Sequence, residues 1–428
     1  MDKQSEVVSK QGNAVGMLSR YRVLDLTDEK GIYAGQLLGS FGADVIKLEK
    51  PAGDKTRNIG PFVHNIPGAE RSLFWLAYNT NKRGITLNIE TIDGQEIFKR
   101  LVKTADVILE SSSPGFMEKL GLGYPELEKI NPKIIMTSIA PFGQTGPYKD
   151  YKASNLDCWA MGGVLSSTGE RNRAPAQISH IPAAFLVASQ DAAWTTAIAL
   201  YWRGRSGKGQ WVDISVQESV VRTAFLIRET WLVTRKEFQR SIIGYQVAGT
   251  QVILRRVWEA KDGYVAYMIF GGQQGAGQVP LLVNWMMEEG MVDDFLKQID
   301  WSSLDWGSKT LEEANHIQDC FRMFFKTKTK AQLFEGAFKR GIMLQPMNTP
   351  KEIMEHPQLE ARSYWVKMDY PHLGLTITYP GRCCLASEAP PKLWRRAPLI
   401  GEHNQEIYQK ELGFSNEELI ILKQAGVI

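Results

Sequence analysis

The run Gly207-Lys208-Gly209-Gln210-Trp211-Val212-Asp213-Ile214-Ser215 brings a glycine turn, an aspartate and a serine together within one short segment. Gly207-Lys208 could open a phosphate-cradling loop, but Gly209 stands where such a loop needs Ser or Thr. No G-x-G-x-x-G follows the first strand-like run and no G-x-S-x-G elbow occurs, so neither a dehydrogenase nor a serine hydrolase is supported. A second segment, Gly271-Gly272-Gln273-Gln274-Gly275-Ala276-Gly277-Gln278, has four glycines that can adopt positive φ and bring backbone amides close to a ligand. A plain surface hairpin is an equal reading of it. Cys158, Cys320, Cys383 and Cys384 show no C-x-x-C spacing, and no two histidines have a ligand spacing. Free thiols in a reducing cytoplasm, and no metal, are therefore expected.

These residues need elements to hold them. With 428 residues, 43% apolar and 23% charged, the chain is globular and long enough for about two or three domains. A net charge of +3 makes no case for nucleic acid or an acidic membrane surface. The apolar stretch from Ala183 to Trp202 contains Gln190 and Asp191 and reads as a buried helix, not a membrane span. Residues 1–20 are polar, without an apolar core, and read as a loose leader. From Tyr21 to Ala140, strand-like runs at 22–26, 44–48, 84–89, 106–109 and 133–138 alternate with amphipathic stretches such as 94–103 and 124–129. That alternation predicts an α/β doubly wound parallel sheet, with ligands beyond the carboxyl ends of its strands. Residues 155–228 read as mostly helical, and a small α+β domain follows. The expected boundaries are a leader over 1–20, a large Rossmann-like domain over 21–235, a small domain with the glycine-rich loop over 236–350, and a return segment with C-terminal helices over 351–428.

Several of these pieces, in this order, resemble the family III CoA-transferases, the formyl-CoA and carnitine CoA-transferase group. They are Val23-Leu24-Asp25-Leu26, Gly42 to Glu49, Gly53-Asp54 with Arg57, Asn81-Lys82-Arg83, Ala105 to Glu110, Phe142 to Pro147, the Gly207–Ser215 run, and Arg396 to His403. The resemblance implies a Rossmann-like large domain, a small domain, and two subunits interlocked like links of a chain. It also implies CoA on the large domain, with contacts carried over to Lys50, Leu87, Ser111, Lys119, Leu120 and Lys152. The three lysines suit phosphates. Ser111-Ser112 stand where the family often has Asn followed by an aromatic residue. A glycine-rich loop of the small domain closes over the acyl group in active relatives, and Gly271, Gly272, Gly275 and Gly277 would belong to it.

In active relatives an aspartate attacks the acyl-CoA carbonyl, forming a mixed anhydride and releasing CoA thiolate. The thiolate then forms an enzyme thioester, from which the acceptor acid takes the CoA. That aspartate lies 23 residues before the glycine matching Gly207, which leads to Ala184. A methyl group cannot attack a thioester. The His and Asp of the related racemases correspond to Ser154 and Ala184, which excludes that chemistry too. Asp191, seven residues on, is about 10 Å further along a helix and fits a structural role better. Asp157 fits a helix cap, and His180 a structural hydrogen-bond partner.

The expectation is thus a non-nucleophilic subunit of a heteromeric CoA-transferase, inactive alone, whose paralogous partner carries the aspartate. Within the family the likeness is to the benzylsuccinate CoA-transferases, built from two unequal subunits of which one lacks that residue. The substrates would be acyl-CoA, succinyl-CoA by that likeness, and an organic acid such as (R)-benzylsuccinate. The alternatives are a homodimeric transferase with a displaced carboxylate and a non-enzymatic CoA-binding scaffold.

Overall fold

The computed structural model describes residues 16–170, 172–177, 181–235, 240, 244–247, 250–270 and 277–428. They divide into two compact units. One takes in the described residues up to Val164, those from 181 to 225, and Glu360–Ile428. The other takes those from 165 to 177 and Leu226–Leu359. Residues 165–177 fall in the second unit, where the Arg240 guanidinium donates to the carbonyls of Ser166, Glu170 and Arg173.

The first unit is built on a six-stranded parallel sheet, β1 (Arg22–Leu26), β2 (Asp44–Glu49), β3 (Lys82–Thr86), β4 (Val107–Glu110), β5 (Ile135–Ala140) and β6 (Gln210–Ser215). The strand order is β3-β2-β1-β4-β5-β6. Every residue of β2 and β5 is buried, as befits strands covered on both faces. Its helices are α1 (Ile32–Ser40), α2 (Leu73–Tyr78), α3 (Ile92–Val102), α4 (Phe116–Lys119), α5 (Tyr124–Ile130), α6 (Asn155–Met161), α7 (Ala183–Ser206) and α8 (Val216–Thr223). Against one face pack Ile97, Phe98, Leu101 and Val102 of α3, Leu127 of α5, and Tyr408, Val427 and Ile428 of the carboxyl-terminal segment. On the other face lie α1 and α7, where the Thr137 hydroxyl of β5 meets that of Thr196 at 2.7 Å.

Three strands depart from the sequence expectation, β5 only by running over 135–140 in place of 133–138. β3 starts at Lys82, not Gly84, because its charged residues find distant partners inside the fold. The Lys82 ammonium donates to Asp25 Oδ2 (2.8 Å), the Ile32 carbonyl (2.7 Å) and Asn79 Oδ1 (3.0 Å), and Arg83 grips Asp44. β6 lay in the stretch expected to be mostly helical. Among the described residues it is an edge strand paired only with β5, and its alternating exposure hid it from an apolar-run reading.

At the opposite edge, residues 395–404 cover β3 without forming a strand. Asn81 N–H donates to the Arg395 carbonyl, Gly84 N–H to His403 Nδ1 (3.1 Å), and Thr86 N–H to Asn404 Oδ1 (2.9 Å). Arg57 and Trp75 both donate to the Pro398 carbonyl. The closing motif is thus an edge cover for the sheet.

α7 is long and apolar enough to span a membrane, but just over half of its apolar stretch is buried in this fold, as in a core helix.

The second unit contains α9 (Phe225–Thr234, whose first residue belongs to the first unit), the antiparallel pair β7 (Gly244–Gln246) and β8 (Ile253–Arg255), and a three-stranded antiparallel sheet of β9 (Val257–Ala260), β10 (Gly263–Tyr267) and β11 (Leu344–Pro346). Helices α10 (Val279–Glu288), α11 (Asp294–Gln298), α12 (Leu311–Lys326) and α13 (Lys330–Arg340) pack around it. The core is aromatic, with Trp258, Tyr267, Trp285, Phe321, Phe324 and Phe325 buried together. After the short helices α14 (Pro350–Met354) and α15 (Pro357–Ala361) the chain is back in the first unit, where its own hairpin β12 (Trp365–Tyr370) and β13 (Leu375–Pro380) packs on Trp75 and Leu76. The chain ends with a π-helical turn over 405–411 and α16 (Asn416–Gln424).

Candidate active site

In an open parallel sheet the strand order reverses at one point, and ligands collect there beyond the carboxyl ends. Here the reversal lies between β1 and β4. Ser111 follows β4 directly, and its hydroxyl is engaged with the loop after β1. Asp28 N–H donates to Ser111 Oγ (2.8 Å), and that hydroxyl donates back to Asp28 Oδ1 (2.8 Å). Asp28 also pairs with Lys30 and with Lys55, the latter at 2.9 Å. Burial alone would push the Asp28 carboxyl up, but the two ammonium groups outweigh it and hold it at about 2.

The other expected CoA contacts lie on connections that follow strands of the sheet. Lys50 follows β2, is exposed, and pairs with Glu90 at 2.7 Å. Leu87 follows β3 and is buried. Lys119 closes α4 and Leu120 follows it, both in the connection after β4, while exposed Lys152 lies in the connection after β5. Lys50, Leu87 and Ser111 thus directly follow the carboxyl ends of β2, β3 and β4, with Ser111 at the reversal, while Lys119, Leu120 and Lys152 lie further along the connections.

Glu110, Asp28 and Lys30 were missed by the sequence reading. Glu110 ends β4 and is almost wholly buried. Burial pushes its carboxyl up to about 7, against hydrogen bonds from Ser138 and Ser112. The signal available was a lone acid closing the apolar run Val107-Ile108-Leu109.

Ala184 is the second residue of α7, the crossover from β5 to β6. A crossover helix runs against its strands, so its amino end lies at their carboxyl ends. Ala184 is fully buried, and its N–H donates to Asn155 Oδ1 at 2.9 Å. Five residues further, Ser189 Oγ donates to the Lys30 carbonyl (3.1 Å) and ties this helix to the loop carrying Asp28. The start of a helix favours a negative charge by its free N–H groups and dipole. A carboxylate at 184 would be well placed there, but the chain carries a methyl group.

The candidate replacements have other work. Asp191 accepts from Trp194 Nε1 (2.9 Å) and pairs with Arg222 at 3.0 Å, linking α7 to α8. Ser154 and Asp157 form a capping box at the start of α6, with Ser154 Oγ donating to Asp157 Oδ2 at 2.7 Å. His180, Gly271, Gly272 and Gly275 lie outside the described residues. Gly277 is described just before α10, with open space around it.

The Gly207–Ser215 run proves architectural. Gly207 ends α7 at φ 74°, a left-handed conformation suited to glycine. A Cβ on Gly209 would fall 2.0 Å from the Ile134 carbonyl oxygen. Asp213 accepts the Gln144 N–H (3.0 Å), and Ser215 caps α8.

The fold matches what comparison finds. The model of CoA-transferase family III matches residues 18–404, and the chain belongs to that family. It is 34% identical to the succinyl-CoA:(R)-benzylsuccinate CoA-transferase subunit BbsE of Thauera aromatica, over 96% of this chain and 98% of that one. It is 30% identical to a formyl-CoA:oxalate CoA-transferase of Streptomyces coelicolor, over 96% and 99%. The crystal structure of a CAIB/BAIF family protein from Brucella suis superposes with a TM-score of 0.74 at 28% identity, covering 92% of this chain and 99% of that one. The chain is therefore of the CoA-transferase class, whose substrates are CoA thioesters.

Proposed function

We propose that this chain is the subunit without a nucleophile in a heteromeric, cytoplasmic CoA-transferase, inactive alone and completed by a paralogous subunit that carries the aspartate. The buried methyl of Ala184 at the amino end of α7 carries this reading. It stands where the family's attacking carboxylate falls by position, and Asp191 is held by Arg222 and Trp194. The likeness to a relative that is itself called a subunit supports a two-chain enzyme. By the same likeness the donor is succinyl-CoA and the acceptor an organic acid, (R)-benzylsuccinate in that relative. The lysines at 50, 119 and 152, with Leu87, Ser111 and Leu120, are the contacts assigned to CoA, and the glycines at 271, 272, 275 and 277 are assigned to the loop over the acyl group.

The test is to express this chain alone, an aspartate-bearing paralogue alone, and the two together, and to assay CoA exchange between succinate and candidate acids. Turnover is expected only from the pair. Trapping with hydroxylamine or borohydride should place the adduct on the paralogue alone. Full activity of this chain by itself, abolished by Asp191→Ala, overturns the reading.

A further inference from the structure

The second unit holds a side-chain cluster that the transfer chemistry does not use. His316 and Cys320 stand four residues apart on α12, so their side chains share one face of the helix. Asp293, the cap of α11, faces them. Its Oδ1 accepts the Leu296 N–H at 2.8 Å, which leaves Oδ2 directed at the other two groups. Asp293 Oδ2 lies 2.6 Å from His316 Nε2 and 3.7 Å from Cys320 Sγ, and the sulfur lies 4.0 Å from that nitrogen. The Phe295 ring meets the imidazole edge-on at 5.2 Å and supports its orientation.

We propose that Asp293, His316 and Cys320 form a binding site for a borderline-soft divalent ion, with zinc the natural occupant. Carboxylate, imidazole and thiolate are the three side-chain donors zinc uses, with bonds of about 2.0–2.3 Å. Tetrahedral angles at such bonds place neighbouring donor atoms roughly 3.3–3.8 Å apart. The sulfur already lies near that spacing from both partners. Only the Asp293–His316 hydrogen bond must open, by a fraction of an ångström, as the ion replaces the shared proton. His316 is about half exposed at 48% and Asp293 at 40%, so the outward fourth position is open to water or an external ligand. Cys320 meanwhile packs against the aromatic core, which fixes the sulfur. On binding, metal–sulfur, metal–nitrogen and metal–oxygen bonds form, the thiol proton passes to solvent, and the proton shared by His316 Nε2 and Asp293 leaves for solvent or for Nδ1 of the ring, with no change of oxidation state. The ion would clip α11 to α12 across the connection between them.

The sequence expectation of no metal rested on histidine pairs. This trio mixes three residue types, and Asp293 is brought in by the fold. The test uses the full chain freed of metal by a chelator and dialysis, with Co²⁺ as the spectroscopic probe and Zn²⁺ as competitor. One equivalent of Co²⁺ should produce a near-ultraviolet thiolate charge-transfer band and intense tetrahedral visible bands, both removed by Zn²⁺. Cys320→Ser should abolish the charge-transfer band, and His316→Ala should weaken binding at least about tenfold. A variant lacking both Cys383 and Cys384 should keep the full signal. Exposed His316→Ala serves even if the Cys320 variant does not fold. Absence of the band, its survival in Cys320→Ser, or unchanged affinity in His316→Ala overturns the proposal.

Discussion

Asp191 is the carboxylate that a search for a substitute nucleophile reaches first, and its surroundings decide against that role. Its two oxygens are taken by Trp194 and Arg222, both on the outer side of the helix pair. Arg222 is well exposed, so the ion pair contributes little, within about 1 kcal/mol. Asp191→Asn should therefore leave the turnover of the assembled enzyme within about twofold of the parent and shift the thermal midpoint only slightly. Steady-state assay and differential scanning calorimetry check this, and a loss of turnover beyond tenfold would contradict it. Position 184, and with it 191, was singled out by the family resemblance, and the cap at 157 by its place before a helical run. Asp28 and Lys30 were not, since nothing in the chain marks them until β1 and β4 are set side by side.

At the scale of elements, the sheet depends on a buried charge network across β1, β2 and β3. Asp25 pairs with Lys82 at 2.8 Å, while Lys47 lies 3.3 Å from Asp54, and all three of Asp25, Lys47 and Lys82 are fully buried. Burial raises the Asp25 carboxyl, but Lys82 and Lys47 outweigh it and hold it below its ordinary range. A depressed carboxylate adds stability above the unfolded value of about 3.9 and loses it as the pH falls towards the folded value. The first unit should accordingly soften below about pH 4. Lys82→Ala leaves Asp25 without its nearest cation and should cost about 3–5 kcal/mol in urea unfolding followed by far-UV circular dichroism. The double variant Asp25→Asn with Lys82→Met should recover part of that loss, because no uncompensated charge remains. This network also explains why β3 was misplaced from sequence. A lysine and an arginine at a strand's start read as loop until their distant acids are known.

For the molecule as a whole, α7 presents a row of large apolar side chains outward. Trp194, Ile198, Tyr201 and Trp202 are all exposed in the single chain, Tyr201 at 66%. A row of this size is unusual on a surface that stays in water. On the heteromeric reading it is where the partner seats. Tyr201→Glu should weaken assembly with the aspartate-bearing paralogue at least about tenfold in sedimentation velocity, while leaving the circular dichroism of the isolated chain unchanged. Unaltered assembly would place the interface elsewhere.

By itself the sequence determined the strand–helix alternation and the family likeness, because periodicity and residue identity are local properties of the chain. Only the tertiary structure decided that β6 joins the sheet, that residues 395–404 cover its far edge, and that Asp293 faces His316 and Cys320. Those are pairings between residues far apart along the chain. Hydrogen bonds and ion pairs of that kind depend on which surfaces the folded backbone brings together, and no window of neighbouring residues contains that information.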